Sequence, residues 1–164
     1  MKTHAIHLST GLLSTVLLSA GLLLGTSAVN AQQIKRTPIP NSNFPISVAV
    51  TVPAAETVYF SGVLPESVTG DTKTQTLSVL RRLEAALANE GLSFGDVVSL
   101  RVFLVGDPKL DNKLDFAGLN AAYGQFFGTA AQPAKPARTA LQVVALPLPG
   151  ALVEIDLIAA RIKP

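Results

Sequence analysis

The 164-residue chain has no cysteine and no tryptophan, and only one methionine and two histidines. These few residues, Met1, His4 and His7, all lie in the first seven positions. Without cysteine there is no disulfide, thiol nucleophile, thiolate zinc site or lipid-modified cysteine anchor. From residue 8 onward imidazole is missing too, which excludes histidine acid–base catalysis and histidine-ligated zinc. Chemistry in residues 32–164 is therefore left to carboxylates, hydroxyls, Lys, Arg, backbone groups and water, and no cofactor or metal is expected. Charge of one sign is also scarce. Lys2 is the only charged residue among the first 31, so residues 32–164 carry 12 basic and 11 acidic side chains, a net charge of +1. With no basic patch, there is no electrostatic case for a nucleic-acid partner.

A long apolar run is present, but it is short for a membrane. Residues 12–24 form a 13-residue apolar stretch after Lys2, and Val29-Asn30-Ala31 places small residues at the −3 and −1 positions before Gln32. A spanning helix needs about 20 residues. The layout is that of a secretory signal cut after Ala31, giving a periplasmic or secreted protein with no membrane association after cleavage. The expected organisation is a signal at 1–31, a flexible lead-in at 32–43 holding Pro38 and Pro40, and one domain at 44–164.

Within that domain, residues 47–52 and 57–63 read as strands joined through Pro53-Ala54-Ala55-Glu56. Thr72 with Gln75 fits a capping box, Leu77, Leu80, Leu83 and Leu87 recur at helical spacing, and Gly91 supplies a left-handed stop. "VVSLRVFLV" at 97–105 is β-branched and of strand length. "PKLDNKLD" resembles a calcium loop only superficially, because Lys109 sits between Asp107 and Asp111. Phe116, Leu119, Tyr123 and Phe126 or Phe127 mark a second helix stopped at Gly128, and residues 130–137 form a loop. Two strands, 138–146 and 151–161, joined by a tight proline-glycine connection, end the chain. The order predicts an α+β sandwich of one mixed sheet, with edge hairpins and both helices on one face. Alternation in the last two strands predicts apolar faces under the helices, with Arg138, Gln142, Glu154 and Asp156 facing away from them, toward another subunit.

"PARTALQVVALPLPGALVEIDLIAA" resembles the C-terminal signature of the RidA (YjgF) family of enamine/imine deaminases, also labelled L-PSP endoribonucleases. "VYFSGVLP", "LSFGDVVSLRVFLVGD" and "DFAGLNAAYGQFF" resemble further family segments in the same order. The resemblance implies a chorismate-mutase-like two-layer fold, assembled as a homotrimer with clefts between subunits. It implies that Arg138 binds the carboxylate of a 2-imino acid and that Glu154 stands near the attacking water. Ser61 and Asn120 would lie by the cleft, and Ala140 stands where many members carry cysteine. The family's N-terminal tyrosine has no counterpart here, the nearest residues being Phe44, Ile46 and Val48. The implied activity is hydrolysis of 2-imino or enamine acids to 2-keto acids and ammonia. Two alternatives stand beside it: a non-catalytic binder of small carboxylates and, following the older label, an endoribonuclease. For Arg138 a salt bridge between subunits, to Glu154 or Asp156, stays open as well.

Overall fold

A computed structural model describes residues 33–162; the expected signal and its cut after Ala31 lie outside them. Six strands and two helices are formed: β1 Lys35–Pro38, β2 Ser47–Thr51, β3 Glu56–Val63, α1 Thr72–Asn89, β4 Val97–Val105, α2 Phe116–Tyr123, β5 Ala137–Val143 and β6 Val153–Arg161. The main sheet is mixed and four-stranded, in the order β3-β6-β4-β5. β6 runs antiparallel to both β3 and β4, while β4 and β5 are parallel. The units β3-α1-β4 and β4-α2-β5 step across the sheet in the same direction. Right-handed crossovers in both therefore put both helices on one face, as the sequence predicts.

That face is the core. Leu80, Leu83 and Leu87 of α1 are buried against Leu100, Val102 and Leu104 of β4 and Val153, Ile155 and Leu157 of β6. Each fully buried leucine contributes about 1.5–3 kcal/mol. With no disulfide available, this packing holds the domain. Leu77 lies at the margin of the stripe and Val79 takes a core place. The cap of α1 also differs from the expected box. Asp71 accepts from the Thr74 amide at 2.8 Å, whereas Gln75 is buried and ties loops together, donating to the Val68 and Gly150 carbonyls and accepting from the Leu152 amide. Gly91 has φ +67°, the left-handed stop expected of it.

Three expectations about strands are corrected. The lead-in is not irregular throughout, because Lys35–Pro38 forms β1 and pairs antiparallel with β2, so β2 is not the hairpin partner of β3. Proline is tolerated in β1 because a two-stranded edge leaves some amides unpaired. Arg36 fastens this ribbon to the domain, donating to the carbonyls of Val97, Lys135 and Gly95. Second, β5 and β6 are not a hairpin, since β4 lies between them. β5 ends at Val143, and the longer connection that follows has room to pass the end of β4.

The third correction concerns the faces of β5. Arg138 pairs with Leu100, Ala140 with Val102 and Gln142 with Leu104. Those β4 residues point into the core, so Arg138, Ala140 and Gln142 lie on the helix face. Thr139 and Leu141 are exposed on the opposite face with Arg101 and Phe103. Glu154 and Asp156 do look away from the helices, paired with Phe103 and Arg101. Alternation alone favours the more apolar set, yet both faces of this edge strand are mixed. What decides is α2, whose aromatic and amide side chains receive a guanidinium.

Candidate functional site

α2 is eight residues long, started by Asp115, whose carboxylate accepts from the Gly118 amide at 2.7 Å. Phe116, Asn120 and Tyr123 recur at i, i+4 and i+7, forming one stripe. The stripe meets Arg138. Its guanidinium carbon stands 4.4 Å from the centroid of the Tyr123 ring, 5.3 Å from Phe44 and 5.7 Å from Phe116. Phe44 and Phe116 stack on each other at 6.2 Å. Attraction between the cation and the ring faces partly offsets desolvation of the charge. Burial still holds the Arg138 pKa below its ordinary value and pushes the Tyr123 phenol well above its own.

Asn120 is oriented for its task. Its Nδ2 donates to the Phe116 carbonyl at 2.8 Å, which turns Oδ1 outward to accept from Arg138 Nη2 at 2.9 Å. Arg138 Nη1 is buried without a partner among the described residues. Among the described residues no carboxylate reaches it, the ion pairs there being Arg101–Asp156 and Arg161–Glu56. A buried guanidinium nitrogen lacking an acceptor is costly, and a carboxylate would satisfy it with a charge-assisted bond. Ala140 lies two residues on, along the same face, packed against the core.

Ser61 and Glu154 form a second group. Between the pairs Phe60–Leu157 and Val63–Ile155 the β3–β6 register shifts, so Ser61 and Gly62 together oppose Asp156. This bulge bends β3 beside Glu154. A Cβ on residue 62 would stand where Glu154 Oε1 does, so a side chain there would make the carboxylate swing aside. Ser61 also lines a concavity of about 500 Å³ with Tyr59, Ser99, Arg101 and Asp156. This trough crosses the open sheet face, where Arg101 meets Asp156 at 2.9 Å and Tyr59 is 75% exposed.

Of the sequence-predicted residues, Arg138, Asn120 and Ala140 are thus together at the β5 edge, and Ser61 and Glu154 are together on the other side of the sheet. One protomer does not join the two groups. Sequence reasoning missed the rings around Arg138, although the spacing of Phe116, Asn120 and Tyr123 carried the signal. Phe44 carried none, because its segment has no periodicity.

A family model described as Endoribonuclease L-PSP matches residues 37–161. A RutC family protein of Pyrococcus horikoshii is 35% identical over 116 residues, covering 67% of this chain and 83% of that protein. The 2-iminobutanoate/2-iminopropanoate deaminase of Mus musculus is 33% identical over 141 residues, covering 82% of this chain and 95% of that protein. Among solved structures, a Rid family protein of Yersinia pestis superposes with TM-score 0.65 at 27% identity, covering 79% of this chain and 99% of that one. Escherichia coli TdcF with bound serine gives TM-score 0.55 at 29% identity, covering 73% and 95%. These likenesses establish that the chain belongs to the L-PSP family, the family of RidA (YjgF) proteins.

Proposed function

We propose that this protein hydrolyses reactive 2-imino and enamine acids to 2-keto acids and ammonia, in clefts between the subunits of a homotrimer. The observation that carries the reading is the caged Arg138, with Nη2 held by Asn120 and Nη1 buried without a partner among the described residues. Its planar fork suits a carboxylate. The deaminase activity named for the mouse relative and the amino acid bound to TdcF are consistent with a ligand of that class.

The chemistry asks little of the protein. A protonated imine is already electrophilic at C2, and positioning supplies most of the gain. Arg138 fixes the carboxylate. A water held by Glu154 attacks C2 as the carboxylate takes one of its protons. The resulting carbinolamine receives that proton on nitrogen. The C–N bond then breaks, ammonia leaves, and loss of the hydroxyl proton completes the keto group. The bulge at Gly62 leaves the space in which Glu154 stands. Because Arg138 and Glu154 lie on opposite faces, the cleft takes Glu154 from one subunit and Arg138 from its neighbour. The open sheet face, with Tyr59 and Leu141 exposed, is the surface a second copy would cover. The signal-like residues 1–31 favour action in the periplasm or outside the cell.

A coupled assay tests the activity. An L-amino-acid oxidase generates 2-imino acids, and their decay is timed with and without this protein. Faster decay is expected, and an unchanged rate for every imino acid offered would remove the enzymatic reading. Assembly has its own measurement: sedimentation equilibrium should return three times the mass of one chain, and a stable monomer at micromolar concentration would sink the shared cleft.

The arrangement also favours a second reading, a non-catalytic carboxylate binder. The binding half, Arg138 with Asn120, is complete within one chain while the base is not, and positions 44, 46 and 48 carry no hydroxyl. The endoribonuclease label fits less well, since residues 32–164 have no histidine and a net charge of only +1.

A further inference from the structure

We infer that Phe44, with Phe116, selects the organic part of the ligand, so that the Arg138 site takes monocarboxylic 2-oxo and 2-imino acids with bulky apolar side chains and discriminates against short or dicarboxylic ones. The inference rests on the carboxylate-binding reading of Arg138 and adds the substrate class. Three observations carry it.

The first is the wall of the site. Phe44 and Phe116 stack on each other and flank the guanidinium, and both remain partly exposed, Phe116 by 44%. A ligand whose carboxylate reaches Arg138 from the side of these rings would lay its next carbons along them. The second is the charge count. Arg138 is the only cation standing over these rings among the described residues. The nearby Arg36 guanidinium is already bonded to three carbonyls. A second carboxylate would therefore find aromatic carbon and no counter-ion from this chain, which is costly. The third is the origin of Phe44. It comes from the short segment before β2, pinned by the bond from the Ile46 amide to the Phe44 carbonyl at 2.9 Å and by Ser47, whose amide donates to the Pro136 carbonyl. The ring is thus presented to the β5 edge by a connection outside the main sheet. It can be changed without disturbing the core.

Titration calorimetry with 2-oxo acids, the stable products, reads the selection directly. Each methylene laid on the rings should tighten binding by about fourfold. Wild-type protein should then bind 4-methyl-2-oxopentanoate and phenylpyruvate at least about tenfold more tightly than pyruvate, and oxaloacetate more weakly than pyruvate. Phe44→Ala should compress the series to a few-fold, with Phe44→Leu between the two. Arg138→Ala should remove binding of every member. A flat wild-type series, or oxaloacetate binding as tightly as the apolar acids, overturns the selection whatever the variants do. So does a Phe44 variant, folded by circular dichroism, that keeps the full spread. If instead Arg138→Ala binds pyruvate as wild type does, the carboxylate site itself is wrong, and the failure lies with the proposed function.

Discussion

Arg138→Ala is expected to abolish the acceleration of 2-imino acid hydrolysis and to leave the subunit assembly in place. The side chain sits at the sheet edge under α2, and Nη2 is already committed to Asn120. The substitution removes the charge-assisted bond to substrate, typically worth about 1.5–3 kcal/mol, or roughly one to two decades in rate if the bond is made in the transition state. Asn120 Oδ1 then loses its donor, so the defect is not only in charge. Arg138→Lys should rescue little, because an ammonium reproduces neither the two-pronged contact nor the stacking on Tyr123, Phe44 and Phe116. Steady-state kinetics with sedimentation decides the matter. Unchanged turnover with a dissociated assembly would make Arg138 an interface residue and remove it from the site.

A comparable or larger loss is expected at Glu154. Glu154→Gln keeps the shape beside Gly62 but cannot accept a proton, and general-base assistance typically contributes about 10²–10⁴ in rate. Affinity for 2-keto acids should survive, since Arg138 and Asn120 are untouched. Gly62→Ala should fail in the same direction for a steric reason, because the added Cβ occupies the space of Glu154 Oε1. The same pair of variants separates enzyme from binder. A binder has no wild-type turnover for Glu154→Gln to lose, yet Arg138→Ala still weakens carboxylate binding. An active wild type whose Glu154→Gln form turns over normally would take Glu154 out of the mechanism.

Elements with their own periodicity were legible in the sequence, and partnerships between elements were not. The β-branched run Val97–Val105 is a strand over the residues expected, and Gly91 ends α1 where a left-handed residue was needed. Alternation placed Val153, Ile155, Leu157 and Ala159 in the core and Glu154 and Asp156 outside. Pairing is a long-range choice, however. Nothing local in β5 and β6 states that β4 will lie between them, and nothing in the proline-marked lead-in states that Lys35–Pro38 will find β2. The face of β5 failed for a related reason. Its alternation is ambiguous, and only the stripe on α2 breaks the tie. The site residues were found through the family motif, whereas the aromatic surroundings that give Arg138 its properties come from two distant segments.

Those surroundings extend inward. Beneath Arg138 the Tyr123 ring stacks on Phe127 at 4.5 Å, Phe127 meets Phe94 edge-on at 4.8 Å, and Phe94 meets Phe126 at 5.5 Å. Two turns of helix such as α2 have little stability of their own in water. Its order is borrowed from this ring ladder, which belongs to the same buried cluster as the leucines of α1. The proposed carboxylate-binding half of the site is therefore part of the cooperative folding unit and not a loop that melts separately. A carboxylate captured by Arg138 would raise the free energy of global unfolding by mass action, so occupancy of the site and survival of the whole domain against heat would rise together.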